Sequence, residues 1–290
     1  MKKRETGLDR RINEHEHEVD VQTVYQLQAQ APAEGGNTSS EKKGSRKKKA
    51  RRRLLYALFY VVGLAVMIFG GIGLFEILSE DRAAQSEYDE LRTIIGDITL
   101  ILDDGEPNRE VMDQVFAELS VINPNVVGWI YIPATDVNYP VVRGPDNDFY
   151  LRRTFRGEYN RAGSIFMDYR VERDFTTPLT TLYGHNMRDG SMFASLMQYT
   201  SAEFLAENTE IRIITNEGDV LTYEIIKAWR TDAWDDVYAV NFDSGIDAQN
   251  FFDDIRSEHF LVLSTCWSGA DRHPDDRFIV AAVRVGVLRG

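Results

Sequence analysis

The sequence predicts a mainly β domain, a closed or nearly closed barrel, preceded by one membrane-spanning helix. Many short runs rich in β-branched and aromatic residues follow residue 124, separated by turns and few helical stretches, a pattern typical of β-barrels. Before them lies Leu54–Phe75, which is 22 residues long and has no charge. A helix of this length spans roughly 33 Å, enough to cross a bilayer.

Charge divides unevenly along the chain. Residues 1–53 hold 14 Lys and Arg against 8 Asp and Glu, whereas the remainder holds 19 against 38. The acidic body argues against nucleic-acid binding. Nine basic residues lie between Lys42 and Arg53, directly before the apolar run, which places this side in the cytoplasm. We therefore expect a basic, disordered cytoplasmic tail over 1–53, a transmembrane helix over 54–78, and an extracellular remainder from 79 onward.

The tail offers little for chemistry. Ala31–Ser45 is polar and rich in Gly and Ser, which predicts disorder. His15 and His17 lie in a Glu-rich run, and no further ligands follow, so we interpret them as part of a solvated tail rather than a metal site.

Two helical segments are expected before the strands. Residues 79–107 mix polar and apolar positions and are expected to form an extracellular helical stalk. Pro107 and Asn108 can start a second helix, whose apolar residues recur at helical spacing until Asn123 and Pro124 end it.

Eight strand candidates follow, with two more helices among them. Pro140 places the second strand toward an edge, because proline cannot donate to a ladder. Asn216–Asp219 is typical of a hairpin turn between the fifth and sixth strands. Helices are expected at Met192–Leu205 and Asp247–Ile255. The strand candidates are Val126–Ile132, Val137–Val142, Ser164–Asp168, Thr180–Tyr183, Ile211–Thr215, Val220–Trp229, Phe260–Thr265 and Phe278–Val287.

Cys266 is the only cysteine, so it is either a buried bystander or a reactive thiol. It ends one strand candidate, and a polar loop separates it from Arg277, which opens the next. If the two strands pair antiparallel, both residues lie at the same rim. Arg277 then has two interpretations: a permanent cation near a developing oxyanion, or a surface ion pair with Asp275 or Asp276.

Cysteine chemistry usually needs a partner that handles protons, and the outer domain holds three histidines. His259 lies at the start of the strand that Cys266 ends, roughly 20 Å away and on the opposite face, so we expect it to be solvated. His273 lies in the loop after Cys266 and could reach the thiol. His185 lies in the turn Gly184–Asn186, directly after an apolar strand. We consider it the better candidate, with His273 and an ordinary turn histidine as alternatives.

These residues resemble the motifs of the sortase family. Leu263–Cys266 is similar to the last four positions of the family's TLxTC signature, with Val262 where a Thr would stand. Tyr183–Asn186 resembles the histidine loop of the family. Arg277 and the apolar strand after it resemble its arginine strand.

The resemblance extends over roughly residues 108–290 and is to class B sortases in particular. It rests on Asn125–Pro140, Asp146–Leu151 and Gly163–Asp168, with the N-terminal helices and the helix expected before the cysteine strand. It implies a sortase-type eight-stranded β-barrel as the catalytic domain. Residues 1–53 are not covered.

The resemblance also implies a Cys-His-Arg transpeptidase without a metal or organic cofactor. Cys266 would attack a Thr carbonyl in the C-terminal sorting signal of a secreted protein, and an amine of a cell-wall precursor or a pilin would resolve the thioester. His185 would protonate the leaving amine and deprotonate the incoming one, while Arg277 would steady the oxyanion or the substrate backbone. Expected to line the substrate pocket are Thr265, Ser264, Asn186 and Tyr183.

Two alternatives stay open on the sequence alone. An exported cysteine protease that only hydrolyses begins with the same acyl-enzyme. A non-enzymatic, membrane-tethered envelope binding domain would keep Cys266 buried and inert.

Overall fold

The computed structural model describes residues 39–96, 108–238, 250–252, 257–271 and 273–289. The chain divides into two compact units, Met1–Ile68 and Phe69–Gly290. The helices are α1 (Ser39–Ile95), α2 (Arg109–Ile122) and α3 (Ala202–Glu207), with 3-10 turns at Tyr150–Arg152, Ala194–Thr200 and Asp236–Tyr238. The strands are β1 (Val126–Tyr131), β2 (Asn138–Val142), β3 (Ile165–Met167), β4 (Leu179–Tyr183), β5 (Glu210–Thr215), β6 (Val220–Asp232), β7 (Phe260–Cys266) and β8 (Asp276–Leu288).

Helix α1 is 57 residues long. Among the described residues it is the one helix long and apolar enough to cross a membrane. No residue of its most apolar stretch is buried. The expected disorder is wrong for residues 39–53, which are helical. Lys and Arg are good helix formers, and a helix already nucleated by the apolar run extends through them at little cost. The rest of the tail, with His15 and His17, lies outside the described residues.

The last turns of α1 belong to the core of the second unit. Tyr88 and Ile95 are almost fully buried. The Tyr88 hydroxyl donates to the carbonyl of Gly163 at 2.6 Å, and Arg92 donates to the carbonyl of Asn138 at 3.0 Å. This part of the expected stalk therefore packs against β2 and the segment before β3.

Helix α2 has the predicted bounds, and its ends are capped by asparagines. The Asn108 side chain accepts from the amide of Val111 at 3.3 Å, as a helix N-cap does. At the other end, the amide of Asn123 donates to the carbonyl of Leu119. One face of the helix is buried, through Met112, Val115, Phe116 and Leu119.

The eight strands close into a barrel in the order β1-β2-β3-β4-β7-β8-β6-β5, which confirms the predicted architecture. The pairs β2–β3 and β4–β7 are parallel. The other pairs are antiparallel. The predicted β5–β6 hairpin is present, and Gly218 takes a positive φ of 87° in its turn, a conformation that glycine adopts without strain.

The prediction of an edge position for β2 is wrong, because β2 lies between β1 and β3. Strand β3 pairs with only two residues of β2, Val141 and Val142. Pro140 therefore lies before the paired part on that side, where its missing N–H removes no bond to β3.

The single helix expected at Met192–Leu205 is also wrong, because the structure divides it into a 3-10 turn and α3. Ser201 separates them with an extended backbone, and its side chain caps α3 by accepting from the amide of Phe204 at 3.3 Å. Serine is a better helix cap than a helix interior residue. The helix expected at Asp247–Ile255 lies mostly outside the described residues.

Strand β7 is buried on both faces up to its last residue. Leu261 and Leu263 face the barrel core, and their neighbours belong to a second apolar cluster on the outer face. Because side chains alternate along a strand, Ser264 and Cys266 lie on the outer face and Thr265 on the inner one. The fold thus leaves the cysteine at an open outer rim.

Candidate active site

Cys266 and Arg277 are direct partners across the antiparallel β7–β8 ladder, as expected from the sequence. Cys266 is a free, exposed cysteine, so the interpretation as a buried bystander is wrong. On β8, Ile279 and Ala281 belong to the outer cluster. By alternation Arg277 lies on that same outer face, beside the thiol.

The guanidinium of Arg277 has no carboxylate partner within the described part of the chain. Its Nη1 donates to two backbone carbonyls of its own loop, each at 3.0 Å. Asp276 instead pairs with Arg230 at 2.7 Å, and Asp275 lies 3.6 Å from His273. The interpretation of Arg277 as a surface ion pair is therefore wrong. Its Nε and Nη2 atoms have no hydrogen-bond partner among the described residues.

The loop that carries His185 is tied to the end of β7 on both sides of the histidine. The amide of Gly184 donates to the carbonyl of Ser264 at 3.1 Å. The side-chain amide of Asn186 donates to the carbonyl of Cys266 at 2.9 Å. The parallel pairing of β4 with β7 sets this register, and it brings His185 to the rim that holds the thiol.

One nitrogen of the His185 ring is already occupied. Nε2 lies 2.7 Å from the carbonyl oxygen of Leu151. A carbonyl only accepts, so Nε2 carries the proton and Nδ1 is the basic nitrogen. Burial lowers the pKa of His185 below its ordinary value of 6.5; the Leu151 bond opposes this shift, and the charge of Arg152 adds to it. The imidazole is therefore neutral at pH 7.

Among the described residues, no side-chain hydrogen bond or ion pair joins either of the other two histidines of this unit to Cys266, Arg277 or His185. His259 precedes β7 and is half-buried rather than solvated, because its carbonyl accepts from the amide of Arg284 at 3.0 Å and holds it against β8. The side chain of His273 is 70% exposed, close to Asp275. Across the described residues, no cluster of three or more His, Cys, Asp or Glu side chains could hold a metal ion.

Tyr238 joins the site although nothing in the sequence marked it. Its hydroxyl lies 2.8 Å from that of Ser264, and its ring stacks on Tyr183 with centroids 6.3 Å apart. Burial raises the pKa of Tyr238 to about 12, although the hydrogen bond to Ser264 and the charge of Arg277 both lower it. The hydrogen bond to Ser264 places the phenol on the outer face of β7, the face that also carries Cys266. In the sequence, Tyr238 follows an acidic stretch that contains no recognisable motif.

A buried carboxylate supports this corner of the site. Asp168 is fully buried and accepts from Arg170 at 2.7 and 2.9 Å, Asn147 at 3.0 Å and the Tyr183 hydroxyl at 2.9 Å. Burial raises the pKa of Asp168, but these hydrogen bonds outweigh it and hold the pKa below its ordinary value. Arg170 also donates to the carbonyl of Tyr238 at 3.4 Å. The network fixes Tyr238 relative to the ends of β3 and β4.

Three of the four expected pocket residues lie with the thiol. Ser264 shares the outer face with Cys266, and Asn186 and Tyr183 lie at the same rim through the contacts given above. Thr265 is 2% exposed and faces the barrel interior. Its side chain is therefore on the opposite side of β7 from Cys266.

Comparison with known proteins agrees with this geometry. A family model of the sortase domain matches residues 130–285. The chain is 31% identical over 214 residues to sortase B of Listeria monocytogenes, covering 73% of this chain and 84% of the relative. It is similar to the Staphylococcus aureus sortase B–substrate complex, with a TM-score of 0.60 and 29% identity over 71% of this chain and 98% of that one. A sortase B complexed with triglycine gives a TM-score of 0.60 and 28% identity, with the same coverage of 71% and 98%. The chain therefore belongs to the sortase family, in its class B, and is a cysteine transpeptidase.

Proposed function

We propose that this transpeptidase attaches secreted proteins to the cell envelope. It cleaves a C-terminal sorting signal after a Thr, holds the acyl group as a thioester on Cys266, and passes it to an amine of a cell-wall precursor or a pilin. The observation that carries the proposal is the direct pairing of Cys266 with Arg277 at the rim to which His185 is tied. A sortase B solved with a substrate and another complexed with triglycine support a peptide donor and an amine acceptor.

In the first half-reaction, the Sγ of Cys266 attacks the Thr carbonyl and its proton passes to Nδ1 of His185. The oxyanion develops near the free Nε and Nη2 of Arg277, which supply charge and directed donors. The C–N bond then breaks, and the proton moves from His185 to the leaving amine. The lowered pKa of His185 makes its protonated form a stronger acid for this step.

In the second half-reaction, the acceptor amine attacks the thioester carbonyl. Nδ1 of His185 takes the proton that the amine loses, and the C–S bond breaks. The proton returns to the sulfur of Cys266, so both groups end in their starting states. No cofactor enters either step.

We further propose that α1 anchors the enzyme, with residues 1–53 in the cytoplasm and the span over 54–78. Residues 79–107 and the catalytic domain, 108–290, are then extracellular, and the last turns of α1 pack on that domain instead of forming a free stalk. The exposed apolar run of α1 and the nine basic residues before it support this orientation, since cytoplasmic flanks carry the excess of Lys and Arg.

Replacing Cys266 with Ala is expected to abolish both cleavage of sorting-signal peptides and transfer to an amine, because the thioester cannot form. The measurement uses a pentapeptide library with a diamine or wall-precursor acceptor, and mass spectrometry of the trapped acyl-enzyme. Ser268→Ala, at an exposed position two residues on, serves as the active control. Cleavage by Cys266→Ala would overturn the assignment, and product ratios that ignore the amine would establish a hydrolase instead.

Replacing Arg277 with Gln is expected to lower kcat/KM by about 100- to 1000-fold, the usual effect of removing an oxyanion donor. Arg277→Lys retains the charge but loses the fork of donors, so its activity should lie between. Arg284→Lys, on the same strand, is the matched control. If Arg277→Gln matches this control in steady-state kinetics, Arg277 has no part in the reaction.

The pKa of His185 predicts a difference in stability with pH. Its folded-state pKa lies below the ordinary 6.5, so between these two values the unfolded chain binds more protons and acidification destabilises the fold. Between about pH 7.5 and about pH 5.5 the wild type should lose more unfolding free energy than His185→Gln, which keeps a donor for Leu151. Urea denaturation measures both. Parallel losses in the two proteins would contradict the lowered pKa.

The orientation is testable because Cys266 is the only cysteine. A membrane-impermeant maleimide added to intact cells is expected to label the wild type and not Cys266→Ala. In the Cys266→Ala background, a cysteine introduced by Val24→Cys should react only after the membrane is permeabilised. Labelling of Val24→Cys in intact cells would reverse the proposed topology.

A further inference from the structure

The segment that follows His185 is a short hairpin whose two legs meet at one bridge. Asn186 and Met192 form an isolated antiparallel bridge, and the amide of Gly190 closes the turn on the carbonyl of Met187 at 3.2 Å. The amide of the next residue, Phe193, donates to the carbonyl of His185 at 2.9 Å. The position of Met192 therefore fixes both the histidine and the asparagine that holds the Cys266 carbonyl.

Met192 adopts a backbone conformation that its side chain disfavours. Its φ is 59°, in the left-handed region that non-glycine residues seldom occupy. Such a residue persists only where its surroundings hold it. Here the amide of Met192 donates to the hydroxyl of Tyr139 at 3.0 Å, in a buried hydrogen bond.

Tyr139 is itself held rigidly from α1. The guanidinium of Arg92 lies 4.7 Å from the centre of its ring. The ring of Tyr88 meets it edge-on, with centroids 5.3 Å apart and an interplanar angle of 85°. Arg92 also donates to the carbonyl of the preceding residue, Asn138, at 3.0 Å. The hydroxyl of Tyr139 is therefore a fixed point to which the hairpin is tied.

The hairpin and Tyr139 border the same polar cavity. It has a volume of about 580 Å³ and is lined by α1, the β1–β2 turn, Tyr139 and residues 189–192. Besides the bond to Tyr139, a side-chain hydrogen bond joins the hairpin to α1, from Gln85 to Asp189 at 3.2 Å, and it is exposed. Exposed hydrogen bonds compete with water, so the buried bond from Met192 to Tyr139 carries the larger share of the restraint.

We propose that Tyr139 is a positioning residue for the transpeptidation, because its hydroxyl fixes Met192 and thereby the hairpin that presents His185 and Asn186 to Cys266. The proposal rests on the proposed catalytic role of His185. Tyr139 touches no reacting atom and acts only through the geometry of the loop.

The test compares Tyr139→Phe with Tyr131→Phe in the full chain. The first variant keeps the ring and its contacts and removes only the hydroxyl. Tyr131 lines the same cavity on the neighbouring strand, and its hydroxyl has no hydrogen-bond partner among the described residues, so it is the matched control. Tyr139→Phe should lower kcat by about 10- to 100-fold with KM changed less than about twofold, since small misplacements of catalytic groups have effects of this size. Tyr131→Phe should match the wild type.

Two further measurements separate positioning from general destabilisation. Hydrogen exchange at the amide of Met192 should speed up in Tyr139→Phe and not in the control. In a double-mutant cycle with Asn186→Ala, the combined loss in kcat should be smaller than the product of the single losses, because both changes act on the same hairpin. A kcat equal to that of the control, unchanged exchange at Met192, or strictly multiplicative losses would each overturn the proposal. If His185→Gln keeps full activity, the proposed role of His185 fails, whereas the exchange at Met192 still tests the tether.

Discussion

The pairing of β7 with both of its neighbours is the constraint on which the site depends. Antiparallel pairing with β8 places Arg277 opposite Cys266, and parallel pairing with β4 brings the His185 loop to the same end. A slip of one residue would turn the thiol to the barrel interior. The same slip would carry Leu261 and Leu263 out of the barrel core and turn Ser264 into it, away from the Tyr238 hydroxyl. The core packing of β7 therefore also determines the direction of its last side chain.

The electrostatics of the rim follow from how its carboxylates are occupied. The chain has a formal net charge of −13, and Arg277 has acidic neighbours in its own loop. Arg230 engages both Asp271 and Asp276 while its guanidinium lies 5.1 Å from the Trp267 ring. These two carboxylates are thus hydrogen-bonded to another arginine, and the guanidinium of Arg277 has no carboxylate partner among the described residues. An oxyanion can use such a charge, because it does not first have to displace an internal partner.

The sequence predicted most of the barrel and the parts of the site that have local patterns. Strand ends, turns and a short motif located Cys266, Arg277 and His185 before any contact was known. The contacts that complete the site join distant segments and have no local signature: the Leu151 carbonyl that accepts from the imidazole is a backbone atom, which any residue could supply. Tyr238 stands alone in an acidic stretch. The error at β2 arose for the same reason, since the effect of a proline depends on how far the neighbouring strand extends.

The contacts around His185 determine which of its ring nitrogens is free to exchange a proton. The ring is held through Nε2 and through the backbone on either side, which leaves proton exchange at Nδ1 as its remaining freedom. Since burial lowers the pKa of His185, the resting imidazole is neutral and offers no charge to stabilise a thiolate. In the proposed mechanism Nδ1 accepts the proton of Cys266 as the peptide carbonyl is attacked. The contacts that orient the ring therefore also determine which of its nitrogens receives that proton.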